Sequence, residues 1–181
     1  MERHLTLIAL FAALIAALGT VPALQLAAGV PITAQSLGIM LCGTVLGAKR
    51  GALAVLLFLA LVALGLPLLA GGRGGLGVFA GPSAGFLIGF PVAAFVTGLI
   101  VQTWRRGNLV LVAAVAAAVG GILVLYPFGI AGLAVVLDKS LAEASVIALA
   151  YLPGDLIKVV LAGIVTAALA RARPDSVLSR A

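Results

Sequence analysis

The feature that most constrains the fold is a series of long apolar stretches separated by short charged or glycine-rich breaks. Between Arg106 and Asp138, for example, no charged side chain occurs. Hydrophobic residues make up 64% of the 181 residues and charged residues only 9%, whereas a soluble domain has about 25% charged residues. So few charges cannot cover the surface of a water-soluble fold of this length. The sequence therefore predicts an all-α integral membrane protein, with a single transmembrane domain over residues 1–181.

The lengths of the apolar stretches predict six transmembrane helices, because a spanning helix needs about 20 largely apolar residues. The fifth stretch contains Pro127, which predicts a break or kink near that residue. A short additional helix between Leu141 and Tyr151 is expected to cap the outer face. The predicted spans are 5–21, 34–48, 51–66, 83–103, 109–136 and a last one that starts after Pro153-Gly154 and runs to about residue 170.

The basic residues predict the topology. The chain has 11 basic and 5 acidic residues, a net charge of +6, and most of the basic ones lie at every second boundary between apolar stretches. This is the positive-inside pattern, and with six helices it places both termini in the cytoplasm. The charge is thereby explained by lipid and topology, and no nucleic-acid partner is expected. The cytoplasmic set is Arg3, Lys49, Arg50, Arg105, Arg106, Arg171, Arg173 and Arg180, and the remaining three are Arg73, Lys139 and Lys158.

Two segments superficially match nucleotide-binding motifs. Residues 72–77 formally fit GxGxxG, but no strand precedes them. The segment 43–49 is followed by Arg50, where a phosphate-binding loop needs Ser or Thr. Neither is interpreted as a nucleotide site, so any ATP-driven transport has to use the ATPase of another subunit. His4 and Cys42, the single histidine and cysteine, do not make a metal site.

A polar cluster is predicted on the outer side. Asp155 and Lys158 lie three residues apart in the first turn of the last helix, and so on one face. Charges near bilayer depth are costly and are functional candidates by default. An alternative stays open, in which Asp155 serves only the helix N-terminus with Lys158 as its partner. Gln35 and Arg73 are further candidates on the same side.

Small residues recur every four positions in the first helix, at Ala9, Ala13 and Ala17. Such a face lets helices approach closely in lipid. Two explanations remain open for it, packing within this chain and docking to a partner subunit.

Several of these segments together resemble the BioY family, the biotin-specific substrate-capture (S) components of energy-coupling factor (ECF) transporters. The resemblance spans about residues 5–172 in matching order. It rests on PITAQSLG (31–38), LGAKRG (46–51), GLP (65–67), GGRGGLG (71–77), GPSAGFLIGFP (81–91) and PGDLIK (153–158).

The resemblance implies the six-helix S-component fold in the plasma (inner) membrane of a prokaryote, with a transmembrane coupling (T) subunit and two cytoplasmic ATPases as partners. Biotin is the implied transported ligand, no cofactor is implied, and no enzyme activity is expected. The implied site faces outward under the first and third outer loops, with Asp155 accepting from the ureido N–H groups and Lys158 meeting the carboxylate or the ureido oxygen. The resemblance also favours partner docking for the Ala9, Ala13 and Ala17 face. The other implied ligand-binding residues are Gln35, Gly72, Arg73, Gly74, Gly75 and Phe86.

Three other functions are compatible with parts of the sequence pattern or would compete with this one. A self-sufficient ion-coupled transporter would use Asp155 to bind a proton or sodium ion. An intramembrane enzyme acting on lipid would need a Ser–His pair, a metal set or paired carboxylates at depth, which the sequence does not offer. The third rival is an S component for another vitamin.

Overall fold

The structure is a computed structural model that describes residues 2–23 and 32–180. Within those ranges the chain is helical and has no β-strand, which confirms the all-α prediction. Most of the predicted first outer loop, residues 24–31, lies outside the described residues. The α-helices are α1 (Glu2–Leu18), α2 (Gln35–Leu46), α3 (Ala48–Ala63), α4 (Ala84–Thr103), α5 (Leu109–Ala118), α6 (Leu125–Val136), α7 (Leu141–Leu149) and α8 (Leu152–Ala172).

The turn between α2 and α3 corrects one predicted boundary. The sequence predicts that the second helix reaches Ala48 and that the third begins at Gly51, but α2 ends at Leu46 and α3 begins at Ala48. Gly47 separates them with a φ of +82°, a value that favours glycine. The backbone N–H of Ala48 donates to Oε1 of Gln102, 3.1 Å away in α4. The basic pair Lys49–Arg50 therefore belongs to the first turn of α3.

The irregularity predicted near Pro127 lies one turn earlier. A π-helical turn, Val119–Val124, joins α5 to α6, and all three form one continuous helix of 28 residues, Leu109–Val136. Proline lacks a backbone N–H, and its ring collides with the carbonyl group four residues before it. For Pro127 that carbonyl belongs to Leu123, inside the π-helical turn, so the backbone adjusts ahead of the proline.

Three helices are long and apolar enough to cross a membrane: Ala84–Thr103, Leu109–Val136 and Leu152–Ala172, with 20, 28 and 21 residues. Three others are shorter, with 17 residues in α1, 12 in α2 and 16 in α3. The short helix predicted on the outer face is present as α7. It begins with a capping box, in which the side chains of Ser140 and Glu143 each bond the other residue's backbone N–H.

The centre of the bundle is formed by α2 and α4, which pack against each other and against most of the remaining helices. Close approach depends on small residues, since a Cβ on Gly43 of α2 would lie 2.6 Å from the carbonyl oxygen of Ala94 in α4. At one end of the bundle the chain's last residues fold under α2. There the N–H of Ser179 donates to the carbonyl oxygen of Val45 over 2.9 Å, which satisfies an otherwise unpaired helix-end acceptor.

We call this end the basic end. The α2–α3 turn with its basic pair, the C-terminal end of α4 and the tail that follows α8 meet there, as the bonds from Ala48 to Gln102 and from Ser179 to Val45 show. The N-terminal ends of α2, α4 and α8 therefore meet at the opposite end, which we call the site end.

Candidate functional site

The N-terminus of α8 supplies the two charged groups at the site end. Pro153 lies in the first turn of α8, where its missing N–H costs nothing. The following turn places Asp155 and Lys158 on one face of the helix. Lys158 Nζ lies 2.9 Å from Asp155 Oδ1, and the two side chains are only 13% and 8% exposed. The structure thus brings together two predicted site residues as a largely buried ion pair.

Ser36 of α2 closes a triangle with this ion pair. Lys158 Nζ donates to Ser36 Oγ over 2.8 Å, and Ser36 Oγ donates to Asp155 Oδ1 over 3.1 Å. The hydroxyl group thereby links α2 to α8. Sequence reasoning missed Ser36, although it directly follows Gln35 in the segment that carried the family resemblance.

The second oxygen of Asp155 is held from another direction. The hydroxyl group of Tyr126, in α6, donates to Asp155 Oδ2 over 2.9 Å. Sequence reasoning missed Tyr126 as well. The available signal was a phenol in an otherwise apolar span, since a buried tyrosine hydroxyl usually has a hydrogen-bond partner.

A cavity opens beside this network. Its wall combines apolar and aromatic side chains with a few polar groups, as is usual for small-molecule sites. It encloses about 620 Å³ of empty space when its open mouth is counted. The lining residues among those described are Ile32, Thr33, Gln35, Ser36, Leu69, Arg73, Ser83, Phe86, Leu87, Phe90, Leu125, Tyr151, Asp155 and Lys158.

Phe86, a predicted ligand-binding residue, forms part of the aromatic wall. Its ring packs edge-on against Tyr151 at a centroid distance of 5.8 Å and against Tyr126 at 6.4 Å. It lies over Gly129, where a Cβ would come within 2.7 Å of the ring carbon Cδ1. The position of Phe86 is therefore fixed from three sides.

Gln35, another predicted ligand-binding residue, borders the cavity, but its amide group is bonded to backbone. Nε2 donates to the carbonyl oxygens of Ile15 and Leu68, at 3.2 and 3.0 Å, and Oε1 accepts from the N–H of Ala70 at 3.1 Å. The side chain is buried with 3% exposure. These bonds tie α1, α2 and the loop after α3 together, which gives Gln35 a structural role whether or not it meets a ligand.

The glycine-rich loop contributes Arg73 to the cavity wall. Arg73 Nε donates to the carbonyl oxygen of Ala70 over 3.2 Å, and its Nη1 lies 3.5 Å from Ser83 Oγ. Among the described residues no carboxylate lies within ion-pair distance of this guanidinium group. The positive charge of Arg73 is thus available at the cavity.

The predicted glycines of this loop do not line the cavity. Gly72 and Gly75 have φ values of +69° and +80°, and a Cβ on either would meet nothing within 4 Å. Gly74 packs tightly on the backbone of Leu66. These residues shape the turn that carries Arg73, and their contact with a ligand stays a prediction.

The small-residue face of α1 points away from the bundle. Ala9, Ala13 and Ala17 are exposed, whereas Ala12 and Ile15 on the other side of the helix are buried. Packing within the chain therefore uses the opposite face, and the three exposed alanines remain free for another contact. Among the described residues no three His, Cys, Asp or Glu side chains are grouped as a metal site would require.

Comparison with known proteins decides the family. Residues 2–175 match the BioY family. The chain belongs to the BioY family. The family membership that the sequence motifs indicated is thereby confirmed over nearly the whole chain.

Individual relatives agree with this assignment. The biotin transporter BioY of Rhodobacter capsulatus is 57% identical over 189 residues, covering 99% of this chain and 100% of that protein. The biotin transporter BioY of Rhizobium etli is 54% identical over 90% of each chain. A crystal structure of the S-component for biotin from an ECF-type ABC transporter superposes with a TM-score of 0.89 at 31% identity, covering 94% of this chain and 92% of that one. The fold is therefore that of an S component, and the family is one of transporters and not of enzymes.

Proposed function

We propose that this BioY-family protein is the biotin-binding S component of an ECF-type vitamin uptake transporter in the inner membrane of a prokaryote. The observation that carries the proposal is the buried Asp155–Lys158 ion pair, bridged by Ser36, in the wall of a cavity at the site end. Its BioY relatives are named as biotin transporters. An ion pair of this kind is costly to bury in an apolar bundle, and a polar ligand gives a reason for it.

The proposed topology has six crossings, with the site end outside and both termini in the cytoplasm. The six are α1, α2, α3, α4, the continuous α5–α6 helix and α8. The positive-inside rule supports this orientation, because the basic end lies opposite to the cavity. The 12 residues of α2 span only about 18 Å as a helix. That length suffices because α2 lies among other helices, where irregular backbone beyond its ends is tolerated.

The hydrogen-bonding capacity left at the ion pair supports a ureido ligand. A carboxylate has about four lone-pair sites, and Asp155 accepts from Lys158, Ser36 and Tyr126, which leaves one on Oδ2. The ammonium group of Lys158 has three N–H donors, of which two are used. The site therefore offers one acceptor beside one donor. A ureido group presents an N–H donor beside a carbonyl oxygen acceptor and matches this pair.

The remaining wall suits the rest of biotin. Phe86, Leu87 and Phe90 offer apolar and aromatic surface for the thioether ring. Because Lys158 is committed to Asp155, we assign it to the ureido oxygen and assign the anionic tail to Arg73, whose guanidinium group is not paired with a carboxylate among the described residues. Gly72, Gly74 and Gly75 are proposed to let the Arg73 loop close over the ligand, and Gln35 to hold the loop in place.

The proposed partners are a transmembrane coupling (T) subunit and two cytoplasmic ATPases. ATPase subunits are included because neither nucleotide-like segment fits phosphate binding: no strand precedes residues 72–77, and Arg50 stands where a phosphate-binding loop needs Ser or Thr. The exposed Ala9, Ala13 and Ala17 face of α1 is the proposed surface for the coupling subunit, because small residues permit close helix contact in lipid.

The first test is equilibrium binding of labelled biotin to the purified, detergent-solubilised protein. We expect saturable binding that unlabelled biotin displaces and that riboflavin and thiamine do not. Displacement by another vitamin in place of biotin would refute the proposed ligand. Uptake into cells separates the ion-coupled alternative, which predicts transport that survives ATP depletion and stops with an uncoupler.

A further inference from the structure

Tyr126 is the one member of the polar network that does not line the cavity. Its side chain is 8% exposed, and its hydroxyl group reaches Asp155 Oδ2 over 2.9 Å from α6. Oδ1 of the same carboxylate is held by Lys158 and Ser36. Both oxygens of Asp155 are therefore fixed, each by residues of different helices, and the plane of the carboxylate is set.

The burial pattern along the 28-residue helix shows how Tyr126 comes to face Asp155. Buried residues occur in pairs at 112/113, 116/117 and 120/121, with a step of four. The next buried pair is Leu125 and Tyr126, after a step of five. One extra residue has been accommodated between them, and the Val119–Val124 π-helical turn is the place where it lies.

Glycines allow the wide turn to pack against its neighbours. A Cβ on Gly120 would lie 2.5 Å from the carbonyl oxygen of Ala93 in α4, and a Cβ on Gly121 would meet the side chain of Met40 in α2. π-helical turns of this kind are rare and are found frequently at functional sites.

The extra residue changes the face on which Tyr126 lies. Each residue of an α-helix advances the direction of its side chain by about 100°. If the helix were regular throughout, position 126 would point about 100° away from its observed direction, and its hydroxyl group would not reach α8. The π-helical turn thus aims Tyr126 and Leu125 at the site.

We infer that Tyr126 is a positioning residue for ligand capture, held in register by the π-helical turn, which fixes Asp155 so that its one free lone pair faces the ligand. The inference rests on the proposed biotin function for the identity of the ligand. The bond between Tyr126 and Asp155 is independent of that function.

The test compares two substitutions that each remove one buried hydroxyl group. Tyr126→Phe keeps the ring that packs on Phe86 and deletes only the donor to Asp155. The matched control is Thr166→Val, which deletes a hydroxyl group bonded to Thr44 over 2.8 Å in the core. We expect Tyr126→Phe to bind biotin about tenfold more weakly, as for the loss of one bond to a charged group. Thr166→Val should bind biotin as the wild type does.

Infrared spectroscopy of the ligand-free protein measures the Asp155 carboxylate directly. Its band would not shift if Tyr126 only supported the packing of the bundle. The chain has only 5 acidic residues, so the carboxylate band that disappears in Asp155→Asn identifies Asp155. Tyr126→Phe should shift that band, and Thr166→Val should not. An unshifted band, or equal biotin affinity of Tyr126→Phe and wild type, overturns the inference. Absence of biotin binding by the folded wild type would instead overturn the proposed function, and the infrared shift would still decide on Tyr126.

Discussion

Lys158 and Asp155 form a 2.9 Å ion pair that is almost removed from water. Burial of such a pair is a weak source of stability, because the loss of hydration offsets most of the Coulomb attraction. Ser36 and Tyr126 supply the additional hydrogen bonds that make the burial tolerable. The pair is therefore better explained by ligand recognition than by folding.

Asp155→Asn is expected to abolish capture of biotin. The substitution keeps the shape of the side chain but leaves Lys158 without its counter-charge, and breaking a buried pair in this way costs about 3–5 kcal/mol. We expect biotin affinity to fall by about 100-fold or more, measured by equilibrium binding. Lys158→Met should have a comparable effect. Asp138→Asn, at an exposed acid, is the control and should bind normally; equal affinity for Asp155→Asn and Asp138→Asn would contradict the assignment.

Gln35→Leu is expected to destabilise the fold. The substitution removes three bonds to backbone groups of Ile15, Leu68 and Ala70, and buried polar groups left without partners cost about 1–3 kcal/mol each. The melting temperature in detergent should fall by several degrees. An unchanged melting temperature together with loss of biotin binding would show that Gln35 acts on the ligand directly, and would contradict the structural role assigned to it.

Gly129→Ala is expected to displace Phe86 from the cavity wall. The added Cβ would lie within 2.7 Å of the ring, and the ring cannot retreat because Tyr126 and Tyr151 pack against it edge-on. We expect weaker biotin binding, measured by titration, together with reduced stability. Phe86→Leu in the same chain provides the control, since a smaller side chain should restore part of the stability. If the variant that carries both Gly129→Ala and Phe86→Leu were no more stable than Gly129→Ala alone, the added methyl group would not act through Phe86.

The sequence predicts the helices well but not the local breaks between them. Apolar length and charge placement are sufficient to locate the long spans, because the bilayer demands both. The end of α2 depends on the positive φ of Gly47, whereas the sequence marks the break two residues later, at Lys49 and Arg50. Pro127 signals an irregularity in the fifth span, but its π-helical form and its position one turn earlier are hidden, since residues 119–124 are as apolar as those of a regular helix.

The candidate site could be predicted in part for a related reason. Asp155 and Lys158 share a helix, so their spacing alone places them on one face. Ser36 and Tyr126 join them only through hydrogen bonds that reach Asp155 from α2 and α6, which no local pattern reports. The register of Tyr126 also depends on the extra residue of the π-helical turn, so an amphipathic pattern for a regular helix would place it on the wrong face.

The capping box of α7 is expected to make this helix sensitive to acid. Hydrogen bonds from Ser140, with a smaller contribution from Lys139, lower the pKa of the Glu143 carboxyl group below its ordinary value. A carboxyl group whose pKa is lower in the folded state contributes stability above its unfolded pKa, and the contribution is lost as the pH falls through the folded pKa. The protection factors of the α7 amides, which compare the observed exchange rate with the intrinsic rate at the same pH, should therefore fall in that window. In Ser140→Ala the protection should be lower at neutral pH and depend less on acid; an unchanged pH profile of protection would contradict the role of the box.

Ala13→Leu is expected to separate biotin capture from assembly. Ala13 lies in the middle of the exposed Ala9, Ala13 and Ala17 face and does not line the cavity, and a leucine there would hold another helix away. The variant should bind biotin with wild-type affinity but co-purify with the coupling subunit in much lower yield. Ala131→Leu, at an exposed alanine of α6, adds the same bulk on a different surface and should assemble normally. If both variants assemble equally well, the coupling subunit contacts another face; if Ala13→Leu also loses biotin binding, α1 serves the site and not the partner.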